Sequence, residues 1–344
     1  MTRSALSVAV LAGGRSSERE VSLQSGASVV AGLTEAGHLP KLIEISSEGH
    51  WTLEGSPVLL TPGQGLEGFD VAFPVVHGPF GEDGTLQGLL ESVRIPYVGS
   101  GVAASAIVLD KILAKQRLEQ EGIPQVDYVG FTEADWLSAR EAVLAAARSL
   151  GSPVWVKPAR LGSSVGISRV DNPADDDLID AITNALTHDP RVIIEASSSG
   201  REVEVSVIER SGEDGTRTLT SSSPGEILLP DAAEGEWYDY DRKYKAGGME
   251  LEVPANLTPA QATAVGETAR LAFERLGCEG YARVDCFVEG DRVLINEINT
   301  SPGFTATSVF SRLFGADGIA YPDLLGELIN SALDRHASSA RFTF

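Results

Sequence analysis

Near its amino end the chain carries the sequence VAVLAGG at residues 8–14, an apolar run that ends in two glycines. A continuous apolar run is typical of a strand buried on both faces of a parallel sheet, and the glycines indicate a tight loop after it. Ser17 and Glu20 have the spacing of a capping box, which predicts that a helix follows the loop. Strand, glycine loop and helix in this order form the first unit of a doubly wound α/β domain.

Three further apolar runs extend this first unit. They predict strands at residues 42–45, 71–76 and 95–98, with polar and glycine-containing segments between them. We therefore expect residues 1–99 to form an α/β domain built on a doubly wound parallel sheet.

The middle of the chain predicts a second unit. A helical pattern at residues 102–121 carries Lys111 and Lys115 at a step of four. Strand signals on either side of residues 162–166 predict a hairpin with a mobile loop at its tip. Together these elements indicate a central domain at residues 100–194.

The remaining residues, 195–344, alternate apolar and polar positions over much of their length, which predicts antiparallel strands and a third domain. Residues 281–288 and 292–298 predict an antiparallel pair around the turn Glu289-Gly290-Asp291. The segment at residues 235–249 is polar and long for a loop, and such loops are usually functional or disordered.

Composition excludes several classes of function. Of the 344 residues, 49 are acidic and 27 basic, and the net charge of −22 repels a nucleic-acid backbone. A small anion would need a site where lysines, arginines and helix N-termini gather locally. The two cysteines have neither the pattern of a disulfide framework nor that of a zinc site, and no apolar run approaches the ~18 residues of a membrane span. We expect a cytoplasmic protein that binds neither nucleic acid nor membranes.

The last predicted strand pair carries charged side chains where a core is expected. Alternation places Arg283, Asp285 and Phe287 on one face of the first strand, and Ile295, Glu297 and Asn299 on one face of the second. The two faces coincide if the turn holds three residues, whereas a two-residue turn would need a bulge. Two carboxylates and an amide oxygen suit a hard cation such as Mg²⁺. The alternative is a solvent-facing strand pair with surface ion pairs.

Two lysines are candidates for phosphate binding. Lys157 ends a predicted strand and is followed by the loop GSSVG at residues 162–166, whose backbone N–H groups and hydroxyls can contact phosphate oxygens. Lys111, in line with Ile107 on an apolar helix face, is the second. The alternatives are a flexible Gly-Ser linker for the loop and a solvated lysine for Lys111.

His77 and Glu18 are candidates for binding a substrate. His77 follows a predicted strand and precedes a glycine-rich turn, and ligands of open α/β sheets bind at strand carboxyl ends. Glu18 lies at the start of the first predicted helix. Their alternative roles are a packed or surface histidine and an acid that stabilises the helix dipole.

Five motifs follow one another along the chain: GGRSSEREVS at residues 13–22, HGPFGEDGT at 77–85, GSSVG at 162–166, YDYDRKY at 238–244 and NEINTSPG at 296–303. In this order they resemble the motifs of the D-alanine:D-alanine ligases of the ATP-grasp family. They span nearly the whole chain, so their joint occurrence is far more specific than any single motif. The resemblance implies a three-domain ATP-grasp fold of the α/β class, with ATP between the second and third domains and amino acids near the first.

The resemblance also implies roles for individual residues toward the cofactors, ATP and Mg²⁺ or Mn²⁺. Residues expected to contact ATP are Lys111, Lys157, Ser163, Ser164, Glu195, Ser198 and Glu202. Lys111 and Lys157 would contact the phosphates, Ser163 would cover the γ-phosphate, and Glu195 and Glu202 would contact the adenine region and the ribose. Metal ligands would be Asp285, Glu297 and Asn299. The chain departs from the family at Ser198, where a bulky apolar residue is usual near the adenine.

For the amino acids, the resemblance implies that Glu18 receives the ammonium of the first D-alanine and that His77 lies near its carboxylate. Residues expected around the second D-alanine and the reacting carbon are Lys243, Tyr244, Arg283, Gly303 and Ser308. Lys243 and Ser308 would hold the second carboxylate, and Tyr244 would bond with Ser163 and Glu18 to close a lid. Arg283 and the backbone N–H near Gly303 would stabilise the oxyanion.

The implied activity is the ATP-dependent joining of two D-alanines through an acyl phosphate, for peptidoglycan precursor synthesis by a cytoplasmic homodimer. A related ligase that joins D-alanine to D-serine or D-lactate is the alternative, although the Lys243-Tyr244 pair argues against lactate. An oxidoreductase is disfavoured because the glycines at residues 13 and 14 lack the GxGxxG spacing. A nucleotide sensor without catalysis would leave Arg283 and the predicted metal ligands unexplained.

Overall fold

The computed structural model describes residues 5–162, 164–173, 175–211, 216–228 and 250–342. Its first sheet has the order β4-β3-β2-β1-β5. The strands are β1 (Ser7–Gly13), β2 (Leu39–Ile45), β3 (Trp51–Leu53), β4 (Ser56–Pro57) and β5 (Val71–Pro74), and the helices beside them are α1 (Arg19–Glu35) and α2 (Thr85–Val93). Strand β1 pairs in parallel with both β2 and β5, which confirms the predicted parallel α/β unit.

Two details of this unit differ from the prediction. The capping box is wrong, because α1 begins at Arg19 with Glu18 at its N-cap and no side-chain cap. The Ser16 hydroxyl instead accepts a hydrogen bond of 3.2 Å from the Glu18 backbone N–H, so the turn after β1 runs further than the spacing suggested. The strand expected at residues 95–98 is reduced to one parallel bridge between Tyr97 and Ala72.

The single helix predicted at residues 102–121 is two helices, α3 (Val102–Leu109) and α4 (Lys111–Gln120). Asp110 between them has extended backbone, and its carboxylate accepts hydrogen bonds from the N–H groups of Ile112 and Leu113. An aspartate that caps a helix in this way ends the preceding one. Lys111 therefore lies in the first turn of a new helix, not in the middle of a long one.

The second sheet has the order β6-β9-β7-β8 and is antiparallel throughout. Its strands are β6 (Tyr128–Thr132), β7 (Val154–Pro158), β8 (Ser168–Val170) and β9 (Arg191–Ala196), and helices α5 (Glu133–Ser149) and α6 (Asp175–Leu186) pack against it. The predicted hairpin is confirmed, since β7 pairs with β8 around the glycine-serine loop. The capping box of Thr132 and Asp135 at the start of α5 is also present.

The third sheet has the path β13-β12-β10-β14-β15, with β11 paired to β10. Its strands are β10 (Arg201–Ser211), β11 (Arg217–Ser221), β12 (Gly225–Leu228), β13 (Glu250–Glu252), β14 (Tyr281–Glu289) and β15 (Arg292–Asn299), and helix α7 (Pro259–Arg275) packs on it. Buried side chains of α3 and α4, such as Val108 and Leu118, belong to the same core. This contact holds Lys111 against the third sheet.

Two C-terminal helices, α8 (Val309–Ala316) and α9 (Tyr321–Ser339), return to the first sheet. Phe310 and Leu325 from these helices share one core with Val10 and Phe73 of β1 and β5. Phe304, which is fully buried, packs edge to face on Phe73 at 5.4 Å between ring centroids. The loop after β15 is thereby fixed beside the carboxyl end of β1, where the predicted substrate residues lie.

Among the described residues, none of the helices combines the length and apolar composition of a membrane span. Cys278 and Cys286 are buried free thiols, as the absence of a disulfide pattern predicted.

Candidate active site

Two clefts meet in the middle of the molecule. The first is lined by side chains from the second and third sheets, among them Lys157, Glu195 and Asp285. The second is lined by residues of the first sheet's loops and of the loop after β15, among them Glu18 and His77. Gly162 and Glu297 line both clefts. The glycine-serine loop and the third sheet therefore form a shared boundary between them.

The register of β14 and β15 brings the predicted metal ligands together. Asp285 lies opposite Glu297, and Arg283 lies opposite Asn299. Glu289 pairs with Arg292, so the turn holds only two residues, and a β-bulge that leaves Asn296 unpaired restores the alignment of the two charged faces.

The same bulge makes the prediction for Ile295 wrong. Ile295 lies opposite Cys286, and both side chains are buried in the core behind the sheet, away from Glu297. One extra residue in β15 moves the side chains before it to the opposite face of the sheet. No feature of the sequence pattern marks the position of this bulge. Phe287 lines the first cleft with Asp285, as alternation predicted.

Carboxylates outnumber cations in the first cleft. Among the described residues that line it, the acids are Glu195, Glu202, Glu204, Asp285 and Glu297, and the cations are Lys111 and Lys157. Glu204 lies opposite Asp285 on β10, so three acids stand in a row across β10, β14 and β15. The cleft therefore has no local excess of positive charge, and an anionic ligand would need further positive charge to bind here.

The donor set fits a hard divalent cation. Asp285 and Glu297 offer carboxylate oxygens and Asn299 an amide oxygen, and the excess of acids in the cleft favours a dication. In the described part of the chain no three His, Cys, Asp or Glu side chains are grouped to hold a metal by themselves. The amide of Asn299 and the oxygens of a bound phosphate would have to complete the coordination.

Arg283 lies between two of these acids. Its Nε donates to Asp285 Oδ1 and its Nη2 to Asp285 Oδ2, both at 2.7 Å, and its Nε is 2.9 Å from Glu204 Oε2. Burial lowers the pKa of Arg283, but the charges of Asp285 and Glu204 outweigh it and raise the pKa well above its ordinary value. The guanidinium is a permanent cation on the boundary of the second cleft.

The two predicted phosphate lysines both line the first cleft. Lys111 Nζ donates to the backbone oxygen of Leu161 at 2.9 Å and is 3.6 Å from Glu297 Oε2. Lys157 Nζ is 2.5 Å from Glu195 Oε2. Lys111 thus connects α4 to Leu161, just before the glycine-serine loop, and to Glu297 of the third sheet.

Sequence reasoning missed a third lysine. Lys115 Nζ is 2.9 Å from Glu195 Oε1, and both side chains are only 3% exposed. Burial raises the pKa of Glu195, but Lys115 and Lys157 outweigh it and lower this pKa to about 2. The step of four from Lys111 was visible in the sequence, yet its partner on a distant strand was not.

Glu18 lies in the second cleft, facing two glycines. A Cβ on Gly78 would lie 2.7 Å from Glu18 Oε2, and one on Gly162 would lie 3.3 Å from the same oxygen. Gly78 also has a φ of +73°, which disfavours any side chain there. Glycine at these two positions lets the Glu18 carboxylate lie close against the backbone of both loops.

His77 is buried at the end of the second cleft. Its Nδ1 donates to the backbone oxygen of Ser301 at 2.9 Å, and its Nε2 is 3.2 Å from Ser25 Oγ. Burial lowers the pKa of His77, but the carboxylates of Glu82 and Glu18 and the Ser301 carbonyl outweigh it and raise the pKa above 6.5. Through Ser301, His77 ties the loop after β5 to the loop after β15.

Four other predicted residues line the clefts. Gly303 and Ser308 line the second, where the Ser308 hydroxyl accepts from the Thr305 N–H at 3.0 Å. Ser164 and Ser198 line the first. Ser198 Oγ donates to Glu289 Oε1 at 2.7 Å, so a polar contact stands where the family usually has a bulky apolar residue.

Three predicted residues lie outside the described ranges: Ser163, Lys243 and Tyr244. The roles inferred for them, including closure of a lid over the reaction, stay predictions.

Two family profiles match the sequence. One, described as D-ala D-ala ligase N-terminus, matches residues 7–66 and 56–100, and the other, D-ala D-ala ligase C-terminus, matches residues 118–330. The D-alanine--D-alanine ligase of Deinococcus radiodurans is 40% identical over 345 residues, which cover 95% of this chain and 98% of that protein. The D-alanine--D-alanine ligase of Mycobacterium tuberculosis is 40% identical over 366 residues, with 95% of each chain covered.

Solved structures agree. The D-alanine-D-alanine ligase of Coxiella burnetii superposes with a TM-score of 0.84 at 32% identity, over 98% of this chain and 97% of that one. The VanG D-Ala:D-Ser ligase of Enterococcus faecalis superposes with a TM-score of 0.82 at 30% identity, over 95% of this chain and 99% of that one. With matching profiles over most of its length and relatives 40% identical over 95% of it, the chain belongs to the D-alanine--D-alanine ligase family and has the ATP-grasp fold.

Proposed function

We propose that the chain joins two D-alanines to D-alanyl-D-alanine, with ATP supplying the energy through an acyl phosphate formed where the two clefts meet. The observation that carries this proposal is the shared lining of Gly162 and Glu297. A phosphate donor in the first cleft and a carboxylate in the second would come together at this boundary.

ATP would lie in the first cleft. Lys111 and Lys157 would contact its phosphates with Ser164 and Ser163, and Glu195, Ser198 and Glu202 would lie nearer the base and ribose. Asp285, Glu297 and Asn299 would hold Mg²⁺ or Mn²⁺, which when bound would neutralise charge that develops on the phosphates. The support is the surplus of carboxylates in the cleft, which by themselves would repel a triphosphate.

The amino acids would lie in the second cleft. Glu18 would accept the ammonium of the first D-alanine, and His77 would lie near the carboxylate of the same amino acid. Ser308 would contact the carboxylate of the second D-alanine, together with Lys243. Tyr244 would act with Ser163 and Glu18 in closing the site.

The reaction needs two steps because an amine does not attack a carboxylate. A carboxylate oxygen of the first D-alanine attacks the γ-phosphorus of ATP. The bond between this phosphorus and the oxygen that leaves with ADP breaks, and an acyl phosphate results. The free amine of the second D-alanine then attacks the acyl carbon, and phosphate leaves with the original carboxylate oxygen and takes up the proton that the amine loses. An oxyanion exists after the amine has attacked and before phosphate leaves. Arg283 and the Gly303 backbone would stabilise it, an effect typically worth about 3 to 4 kcal/mol per donor.

We also propose that the chain has three domains, at residues 1–99, 100–194 and 195–344. From the family resemblance we propose a homodimer that acts in the cytoplasm, in peptidoglycan precursor synthesis, without nucleic-acid or membrane partners.

A D-alanine:D-serine ligase is the second candidate. The observation in its favour is the match to the VanG enzyme over 95% of this chain. D-serine differs from D-alanine by one hydroxyl, and Thr305 and Thr307 beside Ser308 offer the second cleft hydroxyl groups that could bind it.

The test is ADP release by the purified protein with ATP, Mg²⁺ and a panel of D-amino acids, L-amino acids and D-hydroxy acids. We expect release that depends on D-alanine and a product with the mass of D-alanyl-D-alanine. A predominant D-alanyl-D-serine product from an equal mixture would favour the second candidate. ADP release at the same rate with and without D-amino acids would refute both candidate functions.

A further inference from the structure

Lys115 is a buried cation with no role in the reaction outlined above. It lies one helical turn after Lys111 on α4 and is 2% exposed, whereas Lys111 reaches the first cleft. Lys115 lines a small cavity behind that cleft with apolar side chains such as Val108 and Leu118. A lysine is rarely buried to this extent unless its charge is matched.

The matching charge is Glu195, and Glu195 has a second partner. One carboxylate oxygen is 2.9 Å from Lys115 Nζ and the other is 2.5 Å from Lys157 Nζ. The three side chains thus form a row, Lys115-Glu195-Lys157, that leads from the interior to the first cleft. Burial opposes the charge of Lys157, but Glu195 outweighs it and raises its pKa, so the ion pair is kept at neutral pH.

The net charge of this row decides what Lys157 can offer a ligand. With two cations and one anion the row carries +1. Without Lys115, Glu195 would neutralise Lys157 and the row would carry no net charge. The favourable interaction of Lys157 with a phosphate would then be offset by the repulsion from Glu195 close behind it.

We infer that Lys115 is a positioning residue for nucleotide binding: by balancing Glu195 it leaves the charge of Lys157 available to a phosphate in the first cleft. This role rests on the proposed function, in which that cleft binds the phosphates of ATP. Lys115 does not line the first cleft, so it would not touch the nucleotide. Its loss should therefore change the affinity for the phosphates and not the affinity for adenine or ribose.

The experiment compares two ligands that share adenine and ribose but differ in phosphate. Dissociation constants for ADP and adenosine are measured by calorimetry with the full chain and Mg²⁺. Lys115→Met should weaken ADP binding by at least about tenfold, or roughly 1.4 kcal/mol, and leave adenosine binding unchanged. A loss of structure would instead weaken both ligands alike.

A double variant tests the charge balance itself. Lys115→Met with Glu195→Gln removes one charge of each sign and returns the row to +1, so the ratio of adenosine to ADP dissociation constants should return to that of the wild type. A contact of Glu195 with adenine would change both constants together and cancel in this ratio. In the double variant the charge of Lys157 still faces the acids Glu202 and Glu297 of the first cleft, so this variant carries the test if Lys115→Met alone does not fold.

The control is Arg335→Met. Arg335 is another largely buried cation paired with a glutamate, 3.3 Å from Glu279, and it contacts backbone oxygens of Tyr97 and Gly99 away from both clefts. Its loss should leave the ratio unchanged. A wild-type ratio in Lys115→Met, or a ratio that stays low in the double variant, would overturn the inference. If the wild type bound adenosine as tightly as ADP, the first cleft would not bind the phosphates. That result would contradict the proposed function itself and not only the role of Lys115.

Discussion

Arg283 donates two hydrogen bonds of 2.7 Å to Asp285, two residues further along the same strand. Alternate residues of a strand share a face, so this pair follows from the alternation along β14, and the register with β15 places Glu297 opposite Asp285. The guanidinium occupies both oxygens of a predicted metal ligand. A metal bound at Asp285 would therefore share this carboxylate with Arg283, and Glu204 is the second partner of the arginine.

Arg283→Met should destabilise the protein and make its stability depend on metal. Glu204 and Asp285 would be left buried without their cation, which typically costs about 3 to 5 kcal/mol. A divalent cation that binds Asp285 in the folded state alone would recover part of this loss. Urea unfolding with and without Mg²⁺ measures both effects. An equal shift by Mg²⁺ in variant and wild type would show that the two cations do not share Asp285.

Glu297→Gln should lower kcat/KM by at least about a hundredfold with little loss of fold stability. The change removes one charge from a cleft in which carboxylates repel one another, so the folded state loses little, whereas the metal loses a ligand. The control is Glu209→Gln, a buried acid of β10 that pairs with Arg217 outside both clefts. Near-normal ADP release by Glu297→Gln would make the metal assignment wrong.

Glu18→Gln should weaken binding of the first D-alanine more than binding of ATP. Glu18 lies in the second cleft only, and an amide keeps its shape between Gly78 and Gly162 but loses the charge that attracts an ammonium. Steady-state KM values for the two substrates measure the difference. Equal losses for D-alanine and ATP would show that Glu18 has another role.

The affinity for D-alanine should fall as pH rises through the pKa of His77, which lies above 6.5. The protonated ring favours a substrate carboxylate, and its charge is lost on the alkaline side. Since this pKa is raised by folding, the stability it contributes is full below 6.5 and is lost over the same rise. KM profiles from about pH 5 upward, for the wild type and His77→Gln, measure the effect.

His50→Gln is the control for this profile, because His50 is exposed and distant in sequence from every cleft residue named here. It should keep the wild-type dependence, whereas His77→Gln should flatten it. An unchanged profile in His77→Gln would assign the titration to another group, such as the substrate amine.

Much of the fold follows from local sequence patterns. The apolar runs predicted β1 and β7, because buried strands need continuous or alternating apolar residues. The motif order also placed the described candidate residues on strands and loops that line the two clefts. Helices α8 and α9 went unpredicted, although their apolar faces complete the core of the first sheet.

What the sequence could not provide depends on distant contacts. The bulge at Asn296 turns Ile295 into the core, and only the pairing with β14 reveals it. Asp110 reads as one polar residue in a helical pattern, yet its cap splits the helix and sets the position of Lys111. The step of four showed that Lys115 lies near Lys111, but only the position of β9 shows that it pairs with Glu195.

The central claim is that a D-alanine carboxylate becomes an acyl phosphate before the peptide bond forms. Its most direct test uses D-alanine with ¹⁸O in both carboxylate oxygens, ATP and Mg²⁺, followed by mass analysis of the released phosphate. The account predicts that each phosphate formed with a dipeptide carries one ¹⁸O atom. Phosphate released without the label, while labelled D-alanyl-D-alanine accumulates, would contradict it.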